Sequence, residues 1–498
     1  MMDKKWMIAN RVAVILLILF ILNACNMSST SLDGGMGATP GGVQDIQAAR
    51  ALIEQGVIPN AEAFVPEGLL SEYDLPISGP VCTETLCLDA ALGIAPDENG
   101  VISEWVQIGL SSNVEPDTYE RASLATVFCI DISGSMGWGD AGGTPAAIAD
   151  ELLATINEQL NEEDDVAIVT YGSDAATLLN FTSGGDPTIT ATLNNLPRGG
   201  STAMMSGLIK AYNVASQYSG NAEQVRVMLF TDEQPNVGNT NPGSFRELVE
   251  GNGFLGIGIT IFGVGLGLNS ELFSFMADVR GANAFSFSNV EQVPSFIPDN
   301  WSWFVSPIAY NLSVASTTTN VDFIKGYGFP GSGNTVEKTM TVQTVFLSKN
   351  KGALLLKFYV DDGTSFVAGS GVSLSLTYQE FDGTQHNHGL EAFYDGTPPG
   401  NNGYYMPEAS VLKSMALVTL VEGMRLSAEV YSDNPELAVT LLSGVLSRFN
   451  ADVQLINEPE YESDFTFWSK MLTLMQECAP QGNMYGGSAG SIPGDCLL

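Results

Sequence analysis

Hydrophobic and polar positions follow two periods along this chain, and each marks a different kind of element. An unbroken apolar run, residues 124–130, stops at Asp131 and gives way to Ser133, Gly134 and Ser135. Such a run predicts a buried strand that delivers oxygen-bearing side chains to its C-terminal end. Residues 225–230, closed by Thr231 and Asp232, repeat that layout, and residues 166–171 and 256–264 supply two more strands. Between the strands the period lengthens. Ile148, Leu152, Ile156 and Leu160 recur every four residues behind Thr144 and Pro145, an N-cap followed by proline at the first helical position. Residues 204–215, 270–279 and 293–303 read as further helices, 177–181 as a hairpin partner of the 166–171 strand, and 284–287 as a short edge strand. Strands alternating with helices predict an α/β fold with a doubly wound, mostly parallel sheet over residues 124–307.

The flanks change character. Residues 104–110 alternate like a strand with one face buried, and 309–315, 338–347, 353–360, 365–367 and 372–381 are strand-like, with Asp361-Asp362-Gly363 as a hairpin turn. These predict a β-sandwich-like domain over 308–405, completed by the segment 45–123, with the α/β domain inserted into it. Residues 406–498 form a helical segment and tail. Leu417, Leu420, Val421, Met424 and Ala428 share one helical face, Asn434-Pro435 opens a second helix, and residues 465–476 a third.

At the N-terminus, Lys4, Lys5 and Arg11 precede an apolar run, 12–22, that is too short to cross a bilayer but suits a signal-peptide core. It ends in Leu22-Asn23-Ala24-Cys25, which resembles a bacterial lipobox. That resemblance implies a signal peptide over 1–24, lipidation of Cys25 and a lipid-anchored protein of the bacterial cell envelope, facing the periplasm or the cell surface. Secretion with cleavage nearby is the alternative. Residues 25–44, rich in Ser, Gly, Thr and Met, read as a flexible tether.

Charge narrows the partners. The formal net charge is −37, although charged residues make up only 15% of the chain; the imbalance comes from scarce Lys and Arg. Phosphate binding needs those cations, so nucleic acid is excluded as a partner. Six cysteines suit an exported chain. Cys82 and Cys87 are close enough for a local bridge, Cys478 and Cys496 could staple the tail, and Cys129 reads as an inert core thiol. Zinc is disfavoured: no Cys-x-x-Cys occurs, and His386 and His388 stand on one face of an extended segment with no third ligand in view. Glu162-Glu163-Asp164-Asp165 reads as a solvated turn.

The strand ends carry the chemistry. Asp131, Ser133 and Ser135 follow the first strand, Asp232 follows another, and Thr202 lies between them behind Gly199-Gly200 and ahead of a helix. Neutral hydroxyls and few carboxylates suit a hard cation that keeps its electrophilic character. The five residues resemble the metal-ion-dependent adhesion site of von Willebrand factor type A domains, here within a chain that looks like a bacterial surface or periplasmic lipoprotein. The resemblance implies Mg²⁺ or Mn²⁺, with Ca²⁺ as a third candidate, and a protein partner whose Asp or Glu completes the coordination. Glu233 departs from it, standing where the family usually has glycine, and Trp138 could join Glu233 at the rim of the ligand pocket. No small-molecule substrate is expected. No Gly-x-Ser-x-Gly elbow accompanies either histidine, so the expected activity is binding and not enzymatic. An envelope scaffold or transport accessory, with the metal structural or regulatory, is the other reading left open.

Overall fold

The computed structural model describes residues 35–97, 101–137, 143–232, 237–265, 275–329, 339–359, 366–400 and 402–478. The chain opens with strands β1 (Gly37–Pro40) and β2 (Gly42–Val43), helices α1 (Gln47–Glu54) and α2 (Pro66–Ser71), and strands β3 (Cys87–Pro96) and β4 (Ile102–Ser111). The α/β unit follows: β5 (Leu124–Asp131), α3 (Pro145–Gln159), β6 (Asp165–Tyr171), β7 (Ala175–Ser183), α4 (Pro187–Leu193), α5 (Met204–Ala215), β8 (Gln224–Thr231), α6 (Pro242–Phe254), β9 (Ile257–Val264), β10 (Ala282–Phe287) and α7 (Val293–Phe304). Six strands come next: β11 (Pro307–Thr319), β12 (Asp322–Tyr327), β13 (Thr339–Ser348), β14 (Gly352–Tyr359), β15 (Gly371–Gln379) and β16 (Gln385–Phe393). Helices α8 (Ala409–Tyr431), α9 (Pro435–Ile456) and α10 (Pro459–Cys478) close the described chain.

The seven-stranded sheet has the order β2-β10-β9-β8-β5-β6-β7, parallel throughout except for β7. Its central strands are apolar on both faces because helices cover both: α5 and α6 pack over Val127, Val169 and Leu229, and α3 and α7 over Phe128, Ile130 and Phe230. The capping expected at Thr144 is present, its hydroxyl accepting from Ala147 N at 3.1 Å.

The nine-stranded sheet runs β12-β14-β4-β1-β13-β11-β15-β16, with β3 also paired to β4. It folds back on itself at β1, which meets β4 only at Gly37 opposite Ser111, so that β16 comes to lie against β3. Val106, Ile108, Leu354 and Leu356 then pack against Leu312, Val314, Val342 and Leu376 as a sandwich core. The α/β unit is inserted in this β-sandwich, and the C-terminal segment is helical.

Three differences from the sequence-based expectations have physical causes. First, β4 is buried on both faces: Val106 and Ile108 enter the sandwich, while Trp105 joins the core under α8 and Gln107 donates to Ser410 Oγ at 2.9 Å. A helical layer over the back of the sandwich removes the solvent face that alternation implied. Second, residues 35–44 are not a tether. β1 pairs antiparallel with β13, and β2 lies parallel to β10 in the other sheet. Gly41 sits between them, its N–H donating to Thr344 O at 2.7 Å, and a Cβ there would lie 2.7 Å from Ala282 O. Main-chain pairing and close approach hold this strap, and neither leaves a hydrophobic period in two- to four-residue strands. Third, β10 is consequently no edge strand, because β2 covers it.

Cys82 and Cys87 form a disulfide, and Cys129 is a free, buried thiol. Cys478 is disulfide-bonded. Cys25, Cys496 and the Asp361-Asp362-Gly363 turn lie outside the described residues, as does the first half of the helix expected over 270–279, whose second half holds only a short 3-10 turn, Met276–Asp278. The seam between the α/β unit and the sandwich is polar: buried Arg226 donates to Thr260 Oγ1 at 2.9 Å and Gly281 O at 3.1 Å, and Gly281 N donates to Thr344 Oγ1 at 2.7 Å.

Candidate metal centre

The expected oxygen donors meet at the C-terminal edge of the parallel sheet, where doubly wound folds place their ligands. Asp131 is the last residue of β5 and Thr231 the last of β8. The two strands are adjacent with Ile130 opposite Phe230, so Asp131 and Thr231 stand level and Asp232 lies one step beyond. Asp131, Ser133, Thr202 and Asp232 are all at least 97% buried.

The chain after β5 is held by the carboxylate it leaves behind. Asp131 Oδ1 accepts from Ser133 N at 2.8 Å, and Oδ2 accepts from Thr231 Oγ1 at 3.3 Å. This turn brings Ser133 Oγ and Ser135 Oγ to 2.9 Å of each other. Thr202 arrives on a different loop, clamped against the first: Gly199 N donates to Ile132 O at 2.7 Å and Gly134 N to Gly200 O at 3.0 Å. Gly199 and Gly200 hold φ of +118° and +104°, the region that favours glycine, which explains the pair ahead of Thr202. Ala203 N donates to Gly172 O at 2.9 Å and α5 starts at once, so Thr202 is fixed from both sides.

The floor of the site is a residue that pattern reasoning did not single out. Tyr171, at the end of β6 opposite Asp131, is fully buried. Burial first, then the charge of neighbouring Asp131, pushes its phenol well above its ordinary range. Gly207 of α5 makes room for the ring: a Cβ there would lie 2.4 Å from Tyr171 Cδ1. A glycine inside an otherwise good helix was the only sequence signal for this contact. Burial also raises the Asp131 carboxyl above its usual range, opposed by the hydrogen bonds from Ser133.

These residues suit a hard divalent cation. All five are oxygen donors, and neighbouring ligands of an octahedral ion at 2.0–2.1 Å lie about 3 Å apart, the spacing of the Ser133 and Ser135 hydroxyls. Trp138 and Glu233, expected at the rim, lie outside the described residues. Among the described residues no helix is long and apolar enough to cross a membrane.

Comparison with known proteins identifies a domain family over part of this α/β unit. Residues 126–234 match the family model of the von Willebrand factor type A domain, so the chain contains such a domain. A curated relative, "Uncharacterized protein YfbK" of Escherichia coli (strain K12), is 34% identical over 253 residues, covering 47% of this chain and 41% of its own length. The chain thus spans about two fifths of that relative. Among solved structures, the ArnB paralog VWA2 from Sulfolobus acidocaldarius aligns with a TM-score of 0.44 and 12% identity, over 79% of this chain and 98% of that one. The von Willebrand factor type A protein from Catenulispora acidiphila aligns with a TM-score of 0.48 and 11% identity, over 76% and 91%.

Proposed function

We propose that this protein is a non-enzymatic binding protein of the bacterial cell envelope that captures a carboxylate of a protein partner through a divalent cation. Type A domains commonly mediate protein–protein interaction. The observation that carries the finer reading is the 2.9 Å pairing of the Ser133 and Ser135 hydroxyls directly above a buried, hydrogen-bonded Asp131. Ser133, Ser135 and Thr202 would hold the ion directly, and Asp131 and Asp232 directly or through water. Mg²⁺ or Mn²⁺ fits best, with Ca²⁺ as the third candidate. Bound there, the cation would supply an electrophilic position for an incoming Asp or Glu, because three of its five protein donors are neutral.

The chain's own residues do the selecting. Loops 132–135 and 199–202, locked together by two main-chain hydrogen bonds, pre-organise the donors, so little ordering remains to be done on binding. The net charge of −37 opposes an acidic partner at long range, and screening confines that repulsion to about 8 Å at physiological salt. Recognition therefore rests on short-range coordination.

Thermal unfolding of the full chain in EDTA and in Mg²⁺, Mn²⁺ or Ca²⁺ tests the site. An ion at a hundred times its Kd is expected to add about 2.7 kcal/mol to stability, and Asp131→Ala should lose that gain while keeping its circular dichroism spectrum. The same midpoint in all four conditions would remove the metal reading. Anchoring through Cys25 is the second part of the proposal. Mass spectrometry of the N-terminal peptide from membranes of an expressing bacterium should find the chain beginning at a diacylated Cys25, and an unmodified N-terminus elsewhere would exclude it.

A further inference from the structure

The chain's only two histidines, read from sequence as a pair without a third ligand, acquire one in the folded sandwich. His386 and His388 lie two apart on β16 and so share a face. Glu84, about 300 residues earlier, comes up beside them. A carboxylate oxygen of Glu84 and one ring nitrogen from each histidine lie within 4.8 Å of one another. We infer that Glu84, His386 and His388 form a transition-metal site of the class that Zn²⁺ occupies, separate from the oxygen-donor site at Asp131.

Each member is held by structure that a pair of solvated surface histidines would not need. Tyr378 of β15, opposite His386 in the ladder, lies parallel to both imidazoles, with centroids 4.7 Å from His386 and 5.6 Å from His388 and planes within 5°. Its hydroxyl donates to Leu86 O at 3.2 Å, tying the aromatic stack to the loop that carries Glu84. That loop is closed by the Cys82–Cys87 disulfide, and its Glu84 carbonyl accepts from Asn113 N at 3.0 Å. The two imidazoles and the backbone that carries Glu84 are thus set before any ion arrives, while the Glu84 side chain itself is 48% exposed.

The two Nε2 atoms point to a missing partner. Both are shut off from solvent and neither makes a hydrogen bond. His388 Nε2 stands 3.6 Å from Glu84 Oε2, and His386 Nε2 3.2 Å from Glu380 Oε1, without the alignment a hydrogen bond requires. A ring nitrogen withdrawn from water in this way carries an unmet cost, which coordination would remove. Ligands of one tetrahedral Zn²⁺ at 2.0–2.2 Å lie about 3.4 Å apart, so small side-chain rotations bring the set to bonding distance. Two imidazoles and a carboxylate favour Zn²⁺ and its borderline neighbours over Mg²⁺ or Ca²⁺, which take oxygen. Because the ligands come from β16 and from the loop before β3, an ion would cross-link the two strands where the folded-back sheet meets itself.

The test is calorimetric titration of the full chain with Zn²⁺ in excess Mg²⁺, which fills any oxygen-donor site. One Zn²⁺ per chain is expected, with affinity reduced by roughly tenfold or more in Glu84→Gln and abolished in His386→Gln/His388→Gln. A second measurement needs no variant. Diethyl pyrocarbonate acylates free imidazole, and with two histidines in the chain, bound Zn²⁺ should slow their modification at least tenfold. Zn²⁺ binding that survives the substitutions, histidines that react equally fast with Zn²⁺ bound, or no binding at all would each overturn the assignment. In the last case the histidines would be simple ionic partners of Glu84 and Glu380.

Discussion

Asp164→Ala is expected to destabilise the protein by about 3–5 kcal/mol, although its neighbourhood, Glu162-Glu163-Asp164-Asp165, looks like a solvated acidic turn. Asp164 has no exposed surface. Its Oδ1 accepts from Leu124 N at 2.9 Å and from Arg121 Nη1 at 2.8 Å; its Oδ2 accepts from Asn161 N at 2.9 Å and pairs with Arg121 Nη2. Arg121 is itself nearly buried, at 7% side-chain exposure, and lies over the Trp301 ring. The pair stitches the starts of β5 and β6 together, at the end of the sheet opposite the metal donors. Removing the carboxylate strands a guanidinium and two N–H groups, and that uncompensated burial is the larger part of the cost. Replacing both partners at once, as Arg121→Met/Asp164→Leu, should cost much less than Asp164→Ala alone. Urea unfolding with unchanged m-value measures both. A loss within about 0.5 kcal/mol for Asp164→Ala would mean that the residue behaves as an ordinary surface acid.

Stability should also fall as pH rises from about 4.5 to about 8, and Glu104→Gln should remove much of that fall. Glu104 sits on β4 between Ile94 of β3 and Phe358 of β14, fully buried, with no hydrogen-bond partner for either carboxylate oxygen. Burial alone pushes its carboxyl up to about 8 from an ordinary value of 4.5. Between those two values the folded chain keeps a proton that the unfolded chain has released. Raising pH through this window therefore favours unfolding, and the penalty is complete above it. At about 1.4 kcal/mol for each pH unit between the two values, the ceiling is about 5 kcal/mol, and a few kcal/mol is the realistic size. Asp45 and Glu67, both raised to about 7 chiefly by burial, act in the same direction. Glu104→Gln should be more stable than the natural chain at pH 8.5 and similar to it at pH 4.5. Parallel stability curves for the two chains would show that Glu104 is ionised in the folded state.

What could be read from the sequence was what local chemistry imposes. The apolar run ending in Asp131, Ser133 and Ser135 announced a buried strand with a donor set at its tip, because strand burial and ligand chemistry each leave marks within nine residues. Thr144-Pro145 and Asn434-Pro435 announced helix starts for a similar reason: Asn434 Oδ1 accepts from Leu437 N at 3.1 Å, a contact three residues long. Properties created by distant partners were illegible. Asp164 looks like its exposed neighbours until Arg121 is placed over it, and Glu84 has no meaning as a ligand until β16 returns beside β3. The double burial of β4 depended on α8, and the strap at residues 37–43 is held by main-chain groups that every residue possesses. Arg50 shows the same limit, joining Asp464 and Glu72 at 2.8 Å each across the full length of the chain.

The strap bears on how this molecule can be taken apart. Because β2 completes the parallel sheet from outside residues 124–307, a fragment trimmed to those bounds would leave its natural neighbour behind and present β10 as an unprotected row of donors and acceptors, an invitation to self-association. The sandwich, in turn, would lose β1, the strand at which its two halves join, if truncated past residue 44. A domain border drawn along the sequence thus cuts through a structural hinge pin, and the smallest piece that preserves both sheets begins before Gly37 and runs through the last strand of the sandwich.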